Sequence, residues 1–153
     1  MKTILFVGGT GAQGAAIIRI LVSTGQYRIL LFTRDVKSKH STDLIATGHV
    51  EGIENKAEHG YDLAAFELAV SRSDGVYINT DGFALGEQAE TYWGIRLYES
   101  AVKCGRSTYC TVGWTTVGGA QDTIRHFMSA TIRAKPECRV SLPCVTIFPV
   151  EQS

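Results

Sequence analysis

Four glycines crowd the start of the chain at a spacing that can bind phosphate. Gly9-Thr10-Gly11-Ala12-Gln13-Gly14 spells G-x-G-x-x-G, and Gly8, Gly11 and Gly14 lay a G-x-x-G-x-x-G over it. Early glycines let a chain turn sharply and bring its backbone against a pyrophosphate. The last lets the following helix pack close to the preceding strand, and the free N–H groups at the helix start hold the anion with help from the helix dipole. The bare pattern is weak evidence; it becomes specific between a buried strand and a helix, with a second strand following. That context is present here, so the glycines point to a dinucleotide. A purely structural glycine turn is the alternative.

The end of the second expected strand reads Phe32-Thr33-Arg34-Asp35. A carboxylate at this place hydrogen-bonds the ribose 2′-OH of NAD. Here Arg34 comes first, with Lys37 and Lys39 behind it. A guanidinium pairs with a 2′-phosphate in two-point fashion and stacks on adenine. The sequence therefore favours NADP(H) and leaves NAD(H) as the alternative; Asp35 argues slightly for the latter.

No complete catalytic set accompanies the glycines. Proton transfer by a tyrosine is helped by a lysine four residues on, and none of the six tyrosines has one; Tyr92 has Arg96, read as an ordinary helix-surface neighbour. There is no G-x-S-x-G. His40, His49, His59 and His126 lack metal-ligand spacing, and Cys104, Cys110, Cys138 and Cys144 form no C-x-x-C and fit no zinc template. The cysteines read as reduced thiols, and neither catalytic nor metal residues are expected.

The elements that must position these groups follow from the apolar pattern. Ile4–Val7 and Ile29–Phe32 are continuous apolar runs, as strands of a parallel sheet covered on both faces should be. Between them Ala12–Val22 reads as a helix with Ala15, Ala16, Ile18 and Leu21 on one face and Gly25 as its stop. This is a βαβ unit. Val36–Ala46 holds a short helix. A third strand near Val50–Ile53 is weak, since only those two residues are strongly apolar. Tyr61–Val70 is helix-like, Gly75–Asn79 the next strand and Gly86–Cys104 a helix stopped by Gly105. Tyr109–Val112 and Val145–Val150 are candidate strands in a tail with no sustained helical period.

ILFVGGTGAQGAAIIRIL, LLFTRD, GVYINTDGF and GEQAETYWGIRLYESAVKCG together resemble the NmrA-like family of atypical short-chain dehydrogenases, the last two its fungal branch. The resemblance covers residues 1–105 and is poor between Gly48 and Gly60. It implies an α/β fold, a Rossmann-like parallel sheet with flanking helices, of which this chain is a truncated, N-terminal half. It implies that Gly8, Thr10, Gly11, Ala12, Gln13 and Gly14 hold a pyrophosphate and Arg34 the adenosine phosphate, with Lys37 close by. Asn79 and Thr80 would lie beside the nicotinamide ribose; a polar turn without ligand is the alternative there. Members of the family are often cofactor sensors and transcriptional co-regulators, and some are reductases, so a regulatory protein partner is implied. The competing expectations are an NADPH-dependent oxidoreductase whose active-site half lies outside this sequence, and a fragment without function. One departure is plain: the family carries Gly-Asp after strand three, the Asp contacting adenine, where this sequence has Glu58-His59.

Composition agrees with one modest domain. The 153 residues are 44% hydrophobic, enough for one core, and carry no net charge, which gives no reason to expect nucleic acid or an anionic membrane as partner. No apolar run approaches the roughly 20 residues that span a bilayer. Ile4–Val7 is too short for a signal-peptide core. A cytoplasmic location is the default, with the nucleus open to a co-regulator.

From Arg106 the texture changes. Only Asp122, Glu137 and Glu151 are acidic, and Pro136, Pro143 and Pro149 are the chain's three prolines. Residues 106–153 thus form an atypical tail after a dinucleotide-binding unit at 1–105. Shifted by one frame, the tail permits LDYS, GYDP, F-H and then KARV in order between Trp114 and Val140, strings that a fungal NmrA-like protein carries after this helix. The expectation is a frameshifted translation, not selected to pack. Sequencing the coding DNA over Lys103 to Trp114 tests this: the shifted frame is expected to spell LDY, and any other reading rules the idea out.

Overall fold

The computed structural model describes residues 1–80 and 86–105 and the backbone of 107–110. Five parallel strands form one sheet: β1 (Lys2–Val7), β2 (Tyr27–Thr33), β3 (Val50–Glu54), β4 (Gly75–Ile78) and β5 (Ser107–Cys110), in the order β3-β2-β1-β4-β5. Among the described residues four helices lie between them: α1 (Ala12–Ser23), α2 (Lys39–Ile45), α3 (Leu63–Ser71) and α4 (Glu87–Lys103). The order reverses direction between β1 and β4, the topological switch point at which open α/β sheets take their ligands.

Both faces of the sheet are covered, which explains the uninterrupted apolar runs. Side chains alternate across a strand, so Ile4 and Phe6 enter one core layer with Ile29 and Leu31, where they meet Ile18 and Leu21 of α1 and Leu44 of α2. Leu5, Val7, Leu30 and Phe32 enter the other, with Phe66, Ala69 and Val70 of α3 and Leu97 and Ala101 of α4. A helix on each face requires apolar residues at every position of a central strand.

Where the elements differ from the sequence expectations, local chemistry accounts for it. The buried stripe of α1 is Gly14, Ile18 and Leu21, while Ala16 is exposed. Ala16 lies two residues from Ile18, about 200° around the helix. The Ser38 hydroxyl accepts the Ser41 N–H and caps α2, so the helix starts at Lys39 and not at Val36. The Asp62 carboxylate accepts the Ala65 N–H at 3.0 Å and starts α3 after Tyr61. Strand β5 begins at Ser107, ahead of the expected Tyr109. The expected strand at 145–150 and the frameshift reading of the tail lie outside the described residues, apart from β5.

Strand β3 is weakly patterned because it is an edge. Val50 and Ile53 reach the two core layers, while Glu51 stays at the surface. Its carboxylate takes Arg72 at 2.6 Å and Arg28 at 2.9 Å. The Arg72 hydrogen bond, with lesser help from both charges, holds the Glu51 carboxyl below its ordinary pKa against the opposing effect of partial burial. A carboxyl with a lowered folded pKa adds stability above its unfolded pKa and loses it as pH falls through the folded value.

Glu51→Gln is therefore expected to cost under about 1 kcal/mol at neutral pH, as partly exposed pairs do, and to match the parent once acid has protonated Glu51. Urea unfolding at several pH values checks this. Phe66, which α3 buries fully against the sheet, is expected to cost about 3–5 kcal/mol on truncation to Ala, read as a lowered urea midpoint.

Candidate functional site

Strands β1 and β4 run in register to their ends, Val7 opposite Ile78. One further sheet bond, Asn79 N–H to Val7 C=O at 3.1 Å, carries the pairing a step beyond. Gly8 and Asn79 then leave the sheet side by side. Gly8 has φ of 75°, and a Cβ there would be driven into the Asn79 carbonyl. Both the backbone conformation and the space require glycine.

The turn closes by the Gly11 N–H donating to the Gly8 carbonyl at 3.3 Å, and α1 begins with Ala15 N–H to Gly11 C=O at 2.9 Å. Gly14 is buried against the turn, where a Cβ would lie 2.7 Å from Gly9 Cα and closer still to the Gly8 carbonyl oxygen. Gly9 instead seats the turn on the core, for a Cβ there would lie 2.6 Å from Leu31 Cδ1 and 2.7 Å from Ile18 Cδ1. Gly11 alone is open, with its nearest obstacle the Gly8 carbonyl oxygen at 3.5 Å. The G-x-x-G-x-x-G spacing therefore describes the turn better than the overlapping G-x-G-x-x-G.

The N-terminus of α1 faces outward here. Ala12 and Gln13 are exposed and Thr10 half-buried. No side chain caps the helix, no acidic residue occupies its first turn, and its first N–H groups have no intrahelical acceptors. Helices α2 and α3, by contrast, are capped by Ser38 and Asp62.

Arg34 follows the end of β2, which neighbours β1 on the side away from β4. It is exposed, and among the described residues it has no ion-pair partner. The adjacent Asp35 is engaged locally. Its carboxylate accepts the Lys37 N–H at 2.8 Å, and its carbonyl accepts the Ser41 hydroxyl at 2.7 Å and the Ser38 hydroxyl at 3.0 Å. Lys37 is exposed on the same loop. The carboxyl ends of β2, β1 and β4 thus carry Arg34, the glycine turn and Asn79 in that order.

Thr80 lies at this end too, but its hydroxyl is turned inward. It is 4% exposed and donates to Glu90 Oε1 at 2.9 Å. Glu90, also 4% exposed, sits on α4. It shares the inward stripe of Gly94, Leu97 and Ala101, and an acidic residue on an apolar stripe is the signal in the sequence that could have singled it out.

The segment after β3 is built around a second residue without an expected role. Asn55, 4% exposed, donates to the Gly60 carbonyl at 2.8 Å and accepts the N–H groups of Asp62 at 2.8 Å and Ala57 at 3.3 Å. Glu58 and His59 are exposed at the tip. Trp93 of α4 packs over Gly60 and meets Tyr61 edge-on at 5.8 Å. Tyr92 is 55% exposed and Arg96 pairs with Glu99 at 3.5 Å, a helix-surface arrangement. His40, His49, His59 and Cys104 are exposed; His126, Cys138 and Cys144 lie outside the described residues.

A model of the NmrA-like family matches residues 1–122. The chain belongs to the NmrA-like family. The match continues through residues 106–122, beyond the Gly105 limit expected from the sequence. An NmrA-like family domain-containing protein of Dictyostelium discoideum is 28% identical over 104 residues, 68% of this chain and 33% of its own length. The NmrA-like family domain-containing oxidoreductase himF of Aspergillus japonicus is 34% identical over 82 residues, 54% of this chain and 24% of its own. The chain thus spans a third or less of these relatives. Among solved structures, NmrA, a negative transcriptional regulator, in complex with NADP superposes with a TM-score of 0.58 at 24% identity, covering 68% of this chain and 30% of that one. NmrA in complex with NAD gives 0.58 at 21%, covering 71% and 32%. The likeness establishes the Rossmann-like fold. No described helix is long and apolar enough to cross a membrane.

The four glycines are expected to separate under substitution. Gly8→Ala and Gly14→Ala force backbone apart and should cost more than about 2 kcal/mol. Gly11→Ala, at an ordinary φ of −69° with open space above it, should cost under about 1 kcal/mol. Thermal unfolding followed by circular dichroism makes the comparison.

Proposed function

We propose that this chain is the NADP(H)-binding portion of an NmrA-like protein that senses the cofactor or co-regulates transcription. The observation that carries the reading is the glycine turn at the β1/β4 parting, opening onto an uncapped helix start with no acidic residue. A Cβ at Gly11 would meet nothing closer than 3.5 Å, so a phosphate has room to approach the backbone there. Gly8, Thr10, Gly11, Ala12, Gln13 and Gly14 would hold the pyrophosphate, with the first N–H groups of α1 as donors. Arg34 would fork the 2′-phosphate, with Lys37 adding charge. The engagement of Asp35 by the Lys37 N–H supports NADP(H) over NAD(H), because it draws away the carboxylate that would otherwise meet a ribose 2′-OH. Asn79, with the backbone of Thr80, would flank the second ribose. The solved NmrA, described as a transcriptional regulator and crystallised with NADP and with NAD, supports both the ligand class and the regulatory role, which implies a protein partner.

A second reading, an NADPH-dependent oxidoreductase, is favoured by the Aspergillus japonicus relative, which is named as an oxidoreductase. In this reading the proton-transfer residues lie outside this sequence, in which no tyrosine has a lysine four residues on. Consumption of NADPH with a carbonyl acceptor would favour the enzyme.

Titration of the 153-residue chain with NADPH and NADH tests the proposal. Saturable binding with NADPH preferred is expected, and Arg34→Asp should shift the ratio towards NADH by about tenfold or more. Binding of neither ligand overturns the cofactor reading, and an unchanged ratio in Arg34→Asp removes Arg34 from it.

A further inference from the structure

Glu90 is a buried carboxylate that accepts the Thr80 hydroxyl at 2.9 Å and has no ion pair among the described residues. Burying a carboxylate without a cation costs stability, and at this position on α4 an apolar residue would fill the stripe shared with Leu97 and Ala101 at no such cost. The bond's location suggests what it achieves. Thr80 directly follows Asn79, whose carbonyl lies so close to Gly8 that no Cβ fits between them. Any rotation of the chain at Thr80 would move that carbonyl into or away from the glycine turn. Strand β4 opens the second half of the sheet, the half that takes the second mononucleotide of a dinucleotide.

We propose that Glu90 is a positioning residue of the dinucleotide site. By accepting the Thr80 hydroxyl it fixes the end of β4 beside Gly8 and so sets the surface that receives the nicotinamide half of the ligand. This rests on the cofactor reading above and assigns a residue to it that does not touch the cofactor. The bond links α4 to the site, so a displacement of α4 would be felt first at the nicotinamide side. Among the described residues, no hydrogen bond or ion pair joins α4 to Arg34 or the loop after β2, which carry the adenosine side.

The test compares NADPH with 2′,5′-ADP, which carries the adenosine and its 2′-phosphate and lacks the nicotinamide half. Glu90→Ala is expected to weaken NADPH by about tenfold, the scale of one lost buried polar interaction, and to leave 2′,5′-ADP within about twofold. Glu90→Gln, which keeps an acceptor oxygen, should restore NADPH binding. Thr80→Val should reproduce the loss and Thr80→Ser should not; these two decide the matter if Glu90→Ala does not fold. Unchanged NADPH affinity in Glu90→Ala and Thr80→Val overturns the proposal while the parent still binds, and so does equal weakening of both ligands, which would mark a general packing defect. A parent chain that binds neither ligand overturns the cofactor reading and this inference with it.

Discussion

The approach of Gly8 to the Asn79 carbonyl is the constraint on which the rest of the structure depends. Two parallel strands in register deliver their chains to the same point, and only a residue without a side chain lets both pass. From there β1 turns into α1 on one face of the sheet, while β4 leads on towards α4, which packs on the other. The switch point is thus set by backbone contact between two strand ends as well as by strand order. Gly14, pressed on Gly8 and Gly9, extends the contact to the helix, so strand, turn and helix start form one closely packed body.

The polar groups around this body are arranged in tiers. Asp35, Ser38 and Ser41 tie the loop after β2 to itself, and Asn55 does the same for the loop after β3. Each uses short side chains that satisfy backbone N–H and C=O groups, which would otherwise be stranded above the sheet. These bonds fix the shape of both loops. Arg34 stands exposed beside them, with no ion-pair partner among the described residues.

The βαβ unit was legible because several local signals coincide there: continuous apolar runs, glycines at fixed offsets and Gly25 after the helix. Less legible were features decided by neighbours distant in sequence. Strand β3 looked weak because edge position, not propensity, governs its composition; Glu51 answers to Arg28 and Arg72, 23 and 21 residues away. Gly9 belongs to the recognisable motif yet faces Leu31 and Ile18, and no spacing rule separates its packing role from the turning role of Gly8. Thr80 lies just past β4, as its position in the sequence implies, but the direction of its hydroxyl depends on Glu90 across the fold. Arg34 and Lys37 stand out in the sequence by charge type and order alone, and the structure adds the engagement of Asp35 that sets them apart.

The ion triad on β3 has a consequence beyond holding three side chains together. A strand at the margin of a sheet offers unpaired N–H and C=O groups to any other extended chain, and proteins protect such margins with charge. Glu51 lies on β3 with two guanidinium groups on its carboxylate. An incoming strand would have to desolvate or part these charges before its own hydrogen bonds could form. The same residues that make β3 hard to recognise in the sequence make its open side a poor template for self-association.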